Sequence, residues 1–180
     1  LAKDKLKVLK QQLASVKAGS NFIQAPSQAD QQKLVDHYQN ERYEDAERLA
    51  ISITKLYPDH PSSYKVLGGV YKQAGRLSEL VIVCEKVVVL APKDAGAHCN
   101  LGVSLKDLGR LEEAEASYKR AIALNPDYAE AYSNLGVMLK ELNRPEEAEG
   151  SHRKAIELKP NSADIHNNLG IFLNGLGKLE

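Results

Sequence analysis

The sequence predicts an all-α fold, a solenoid of antiparallel helix pairs built on a 34-residue period. Three observations carry that expectation. The segment starting at Ala95 aligns without gaps on the segment starting at Ala129, and a fixed shift of 34 residues is the mark of a repeat architecture. Proline returns at the same period, at Pro58, Pro92, Pro126 and Pro160, where each second helix must stop. Midway between the prolines stand Gly75, Gly109, Asn143 and Gly177, residue types that tolerate the positive φ needed to end a first helix.

Taken in chain order, residues 1–26 read as an N-terminal basic amphipathic helix and linker. Leu6, Leu9, Leu13 and Val16 form a narrow apolar stripe among Lys3, Lys5, Lys7, Lys10 and Lys17. Residues 27–180 read as the repeat array. Its first unit, 27–60, is degenerate: Tyr43, Ala46 and Pro58 fit the second half, but Asp30, Lys33 and Leu34 stand where a large residue, Leu and Gly recur elsewhere. A polar, atypical terminal unit suits the exposed end of a solenoid, so this unit is expected to be a cap. The units 61–94, 95–128 and 129–162 are complete, and 163–180 is cut after its first helix, which predicts a natural chain that continues beyond Glu180 and, in this one, end-to-end self-association through the open apolar face. Within the units, Gly68, Gly102, Gly136 and Gly170 are expected to admit the partner helix closely, with Tyr64, Tyr71, Tyr118 and Tyr132 filling the gaps.

The recurring large residue, Leu-Gly, large residue, Ala, aromatic and Pro over 34 positions resembles the tetratricopeptide repeat, and the resemblance spans residues 27–180. It implies a right-handed superhelix whose concave groove holds another polypeptide. The NLG and LEEAEASY strings resemble the bacterial repeat arms attached to O-linked N-acetylglucosamine transferases and related transferases.

Composition removes other classes. Apolar residues at 43% and charged ones at 27% are those of an ordered, soluble chain. Lys plus Arg equals Asp plus Glu at 24 each, so no global field draws the chain to nucleic acid or an anionic membrane. The most apolar run, Val81 to Leu90, is interrupted by Glu85 and Lys86 and is too short to span a bilayer. The expected compartment is the cytoplasm.

No catalytic residue, cofactor or metal is expected. His37, His98, His152 and His166 fall on periodic core places without convergent partners. Cys84 takes the place of the second-helix aromatic and should be buried and inert, whereas Cys99 lies on another face and is expected at the surface. The pairs Glu112–Glu113 and Glu146–Glu147, with Glu115 and Glu149, sit in first turns of second helices, where carboxylates suit the helix dipole.

The candidate site is the face opposite the Leu-Gly stripe of each first helix. Asn100, Asn134 and Asn168 recur there at the sixth place of the unit, Val103, Val137 and Ile171 at the ninth, and Lys72, Lys106 and Lys140 at the twelfth. An asparagine amide both donates and accepts, which matches the alternating groups of an extended backbone whatever its sequence. The ladder looks like that of the transferase arms named above; the competing reading is that Asn at this place serves local hydrogen bonding. A chaperone-type carboxylate clamp is disfavoured, because Lys65 and Asn100 match it but Gly69, Glu130 and Asn134 replace its other members. RNA-binding pentatricopeptide repeats are disfavoured by the 34-residue unit and by Asp107, Glu130, Glu141 and Asp164 in the groove. Two roles remain open: the substrate-recruiting arm of a larger bacterial transferase, or a stand-alone adaptor that assembles a multiprotein complex.

Overall fold

The computed structural model describes residues 25–175. The expected helix around Leu6–Val16 and the turn at Gly177 lie outside the described residues. Among these, every regular element is an α-helix: α1 Gln28–Gln39, α2 Tyr43–Leu56, α3 Pro61–Gln73, α4 Leu77–Leu90, α5 Ala95–Asp107, α6 Leu111–Leu124, α7 Ala129–Glu141, α8 Pro145–Leu158 and α9 Ala163–Gly175. Each helix packs on the next in order, and first helices also touch, α1 on α3, α5 on α7 and α7 on α9. The result is the expected all-α solenoid.

The starts follow from capping. The Ser27 hydroxyl accepts from the Asp30 amide at 3.0 Å, the Asp94 carboxylate accepts from the Ala97 amide at 3.1 Å, and Pro61 and Pro145 open α3 and α8, where a missing N–H costs nothing. The changeovers follow from φ. Gly75 (φ 66°), Gly109 (φ 80°) and Asn143 (φ 56°) turn the chain at the expected places. In the first unit Glu41 (φ 58°) takes this conformation, an uncommon choice that costs roughly 1–2 kcal/mol for a residue with a Cβ. In all four turns the next amide, that of Arg42, Arg76, Arg110 or Arg144, donates back to a first-helix carbonyl at 2.9 Å.

Those arginines also fasten the convex side. Arg76 pairs with Glu79 in its own unit and Glu47 in the one before, and Arg144 likewise with Glu147 and Glu115, all within 2.9 Å. Arg110 holds Glu113 at 2.6 Å but must reach Glu85 at 3.5 Å, because Val81 occupies the place held by Glu47 and Glu115 in neighbouring units.

The core runs the length of the stack. Ala46, Ala114 and Ala148 are fully buried where second helices meet first ones, and Leu80 takes the same place in α4. Tyr118 and His152, at the aromatic place, are also fully buried. A Cβ on Gly102 would lie 2.7 Å from the Tyr118 ring, and one on Gly136 would lie 2.8 Å from the His152 ring, so both glycines are required by close approach. The expectation of close approach fails at two places. At Gly68 the nearest atom, on Leu80, would be 3.6 Å away, and at Gly170 nothing described comes within 4 Å. The first follows from the small Cys84 opposite; the second from α9 being the last described helix.

Of the four histidines expected in the core, His98 and His152 are buried, His37 is half-buried and His166 is exposed. His166 has no described helix stacked over it, yet its Nε2 donates to the Pro160 carbonyl at 2.7 Å, as His98 Nε2 does to that of Pro92 at 3.1 Å and the Tyr64 hydroxyl to that of Pro58 at 3.1 Å.

Candidate peptide-binding groove

Side chains at the sixth, ninth and twelfth places project from α3, α5, α7 and α9 onto one face, since helical geometry returns them to the same azimuth in every unit. The structure separates residues that the sequence presents as equivalent. Asn100 is exposed, while Asn134 and Asn168 are half-buried. The Asn168 amide donates to Ser133 Oγ at 3.0 Å, and that of Asn134 contacts Cys99 Sγ at 3.7 Å. Each reaches back to the fifth place of the preceding unit. One N–H of each amide thereby fixes the register between repeats, and the other N–H and the carbonyl oxygen keep their capacity. For Asn100 the corresponding residue is Lys65, which is held instead by Asp94 at 2.8 Å.

The same contact corrects the expectation for Cys99. It is buried, 3% exposed, because the fifth place faces the following first helix and is covered by Asn134. Burial raises the pKa of its thiol and that of Cys84. Cys84 is buried as expected, with Sγ 3.5 Å from Ser104 Oγ.

At the ninth place Val103 and Val137 are half-buried and Ile171 is exposed, which gives the groove an apolar floor. The lysines diverge most. Lys106 lies 3.1 Å from Asp107 and 3.8 Å from Glu141; Lys140 donates to the Ile171 carbonyl at 3.0 Å, near the C-terminal end of α9, where a cation suits the dipole. Lys72 is exposed and has no ion-pair or hydrogen-bond partner among the described residues.

Sequence reasoning missed a cavity of about 380 Å³ where α3, α4 and α5 meet. It is lined by Gly68, Leu80, Val83, Cys84 and Ala97 and also by Lys72, Asn100 and Val103, of which Lys72 and Asn100 are exposed. The hollow has a sequence cause. Cys84 stands where the next two units bury Tyr118 and His152; Gly69 stands where others carry Val103, Val137 and Ile171, but there the Tyr38 ring of α1 takes the space, its hydroxyl 2.7 Å from where a Cβ would be. Aligning side-chain size unit by unit, rather than residue class, would have exposed it.

Among the described residues no helix is long and apolar enough to cross a membrane, and no group of three or more His, Cys, Asp or Glu side chains converges as a metal site would.

Consecutive helix pairs repeating at 34 residues, with a lined concave face, define an α-solenoid repeat protein. Sequence comparison makes the class specific. Models described as tetratricopeptide repeat match residues 33–95, 129–162 and 153–180, and one described as TPR repeat matches 104–143. The chain belongs to the tetratricopeptide-repeat family. No curated protein matches it. Among solved structures it is similar to MamA, with 26% identity, 79% of this chain and 84% of that chain covered, and a TM-score of 0.72. It is similar to the first TPR of Spaghetti (RPAP3) bound to the HSP90 peptide SRMEEVD, with 26% identity, 65% and 93% covered, and a TM-score of 0.60. TTC0263, a thermophilic TPR protein in Thermus thermophilus, shares the fold at 22% identity, with 85% and 84% covered and a TM-score of 0.70.

Proposed function

We propose that the chain is a protein-interaction scaffold whose concave face binds an extended polypeptide with weak dependence on its sequence. The observation that carries this reading is the ladder Asn100, Asn134 and Asn168. Two of its amides are oriented by a bond to the preceding unit, which restricts their rotamers and lowers the entropic cost of using the remaining donor and acceptor on a ligand. Val103, Val137 and Ile171 supply apolar contact between the amides. The similar RPAP3 repeat, which holds a peptide, supports the coarse role. It does not transfer its ligand, because Gly69 and Glu130 replace residues of a carboxylate clamp and Glu130 is paired with Lys159.

Within that role the favoured setting is the substrate-recruiting arm of a larger bacterial transferase, on the resemblance of the repeat units; an adaptor within a multiprotein complex is the alternative. The exposed Ile171 side chain also supports end-to-end self-association through α9.

The test is the affinity of the tightest peptide from a random library, measured by titration calorimetry against the triple Asn→Ala variant and against a Lys72, Lys106 and Lys140 triple Ala variant, at low and high salt. Each hydrogen bond contributes about 0.5–1.5 kcal/mol, so one asparagine change weakens binding modestly and three together nearly abolish it. The lysine contribution should fade with salt while the asparagine contribution persists. A folded triple asparagine variant that binds like the parent refutes the reading.

A further inference from the structure

The cavity between α3, α4 and α5 has a template within the same molecule. In the two units that follow, the same place between a first-helix glycine and its second helix is filled by a flat ring, Tyr118 against Gly102 and His152 against Gly136, each buried completely. In unit 61–94 the glycine is kept as Gly68, but Cys84 supplies only a thiol. The neighbouring Gly69 is covered by the Tyr38 ring of α1, whose hydroxyl lies 2.7 Å from where a Cβ would stand. Leu80, Val83 and Ala97 make the wall apolar. Asn100, a member of the proposed ladder, and Lys72 also line the cavity, and both are exposed.

The lining cation without a carboxylate partner is Lys72. Lys65 is paired with Asp94, and Lys106 is shared between Asp107 and Glu141, whereas Lys72 carries no carboxylate partner among the described residues. From this geometry we infer that the cavity is an anchor pocket of the groove, taking one aromatic side chain of the bound polypeptide with a carboxylate-bearing residue beside it on Lys72. This deepens the groove reading and rests on it. The inserted ring does for this unit what Tyr118 does for the next, and the peptide on either side lies along the asparagines. Specificity then comes from one residue pair in a ligand otherwise held by its backbone, in line with the dominance of a few buried aromatic anchors at interfaces.

The experiment uses fluorescently labelled synthetic peptides of Gly and Ser containing Glu-Phe, Glu-Ala or Lys-Phe at the centre, titrated by anisotropy against the full chain and its C84Y and K72E variants. Cys84→Tyr fills the pocket from within with the ring that unit 95–128 already carries. The expected order for the parent is Glu-Phe tightest, with Glu-Ala weaker by roughly tenfold for loss of a buried ring. C84Y should reduce Glu-Phe to the level of Glu-Ala and leave Glu-Ala unchanged. K72E, at an exposed site, should invert the preference between Glu-Phe and Lys-Phe, which keeps the test alive if C84Y does not fold.

Equal affinity of the parent for Glu-Phe and Glu-Ala, both lost in the triple asparagine variant, overturns the pocket and leaves the groove reading standing. A Phe preference that survives in folded C84Y also overturns it. Binding of none of the peptides overturns both readings.

Discussion

Units 61–94 and 95–128 share a backbone plan and differ in how they are filled. In the second, Tyr118 occupies the space beside Gly102 so tightly that no Cβ fits there. In the first, Cys84 leaves the same space open beside Gly68, where a Cβ would meet only ordinary contacts. A solenoid tolerates this because each repeat is stabilised by its immediate neighbours, so one loosely filled unit is carried by the interfaces on either side. A repeat array can therefore vary its cavities without varying its fold, and a site can arise by subtraction from a packing position.

Exchanging the two fillings should have the largest effect. Tyr118→Cys opens a second hollow at a fully buried place and should destabilise the chain by about 3–5 kcal/mol, read from urea unfolding. Tyr118→Phe should instead be neutral or stabilising, since the buried hydroxyl has no hydrogen-bond partner. The glycines give the next largest contrast. Gly102→Ala drives a Cβ to 2.7 Å from the Tyr118 ring and should cost ~1–3 kcal/mol, whereas Gly68→Ala should gain up to about 1 kcal/mol from helix propensity alone. Equal shifts in melting temperature for the two would contradict the difference in packing.

Unit 129–162 fills its slot with His152, which sharpens the comparison by pH. Both ring nitrogens are buried without partners, and burial, with the Lys140 charge as a lesser cause, lowers its pKa below the usual 6.5. The unfolded chain then takes up a proton first, so stability falls as pH drops through 6.5 and continues to fall until the folded-state pKa is reached. Carboxylates such as Glu115 and Glu130 act lower. Their cationic partners depress their pKa values below the ordinary 4.5, and their contribution is complete above that value. His152→Phe should therefore flatten the stability profile between pH 7 and pH 5 while leaving the acid limb below about pH 4.5 unchanged. The smallest effect lies on the convex side. Arg144→Ala breaks two short pairs and Arg110→Ala one short and one long, so the former should lower the melting temperature slightly more. Surface exposure keeps both effects small.

The period, the helix pairs and the turns at Gly75, Gly109 and Asn143 were legible because each depends on a local rule: a proline, a positive φ, an apolar stripe. Placing the asparagines on one face was legible from helical geometry. Their bonds to Ser133 and Cys99 were not, because they join the sixth place of one unit to the fifth of the one before, and that requires the stagger between helices. For the same reason Cys99 was expected at the surface and is buried. The lysines look equivalent at a 34-residue spacing, but their partners Glu141 and the Ile171 carbonyl come from the following unit. The hollow beside Cys84 needed the summed volumes of residues distant in sequence, which no single-position pattern contains.

The claim that the first-helix face is where a polypeptide lies is tested most directly by mapping amide chemical-shift changes in the labelled chain during titration with the Glu-Phe peptide. The largest changes are expected on Gly68, Gly69, Asn100, Val103, Asn134 and Val137, with those around Gly68 absent for the Glu-Ala peptide. Changes concentrated instead on the second-helix face, around Glu113, Arg144 and Arg153, would place the ligand on the convex side and contradict the claim.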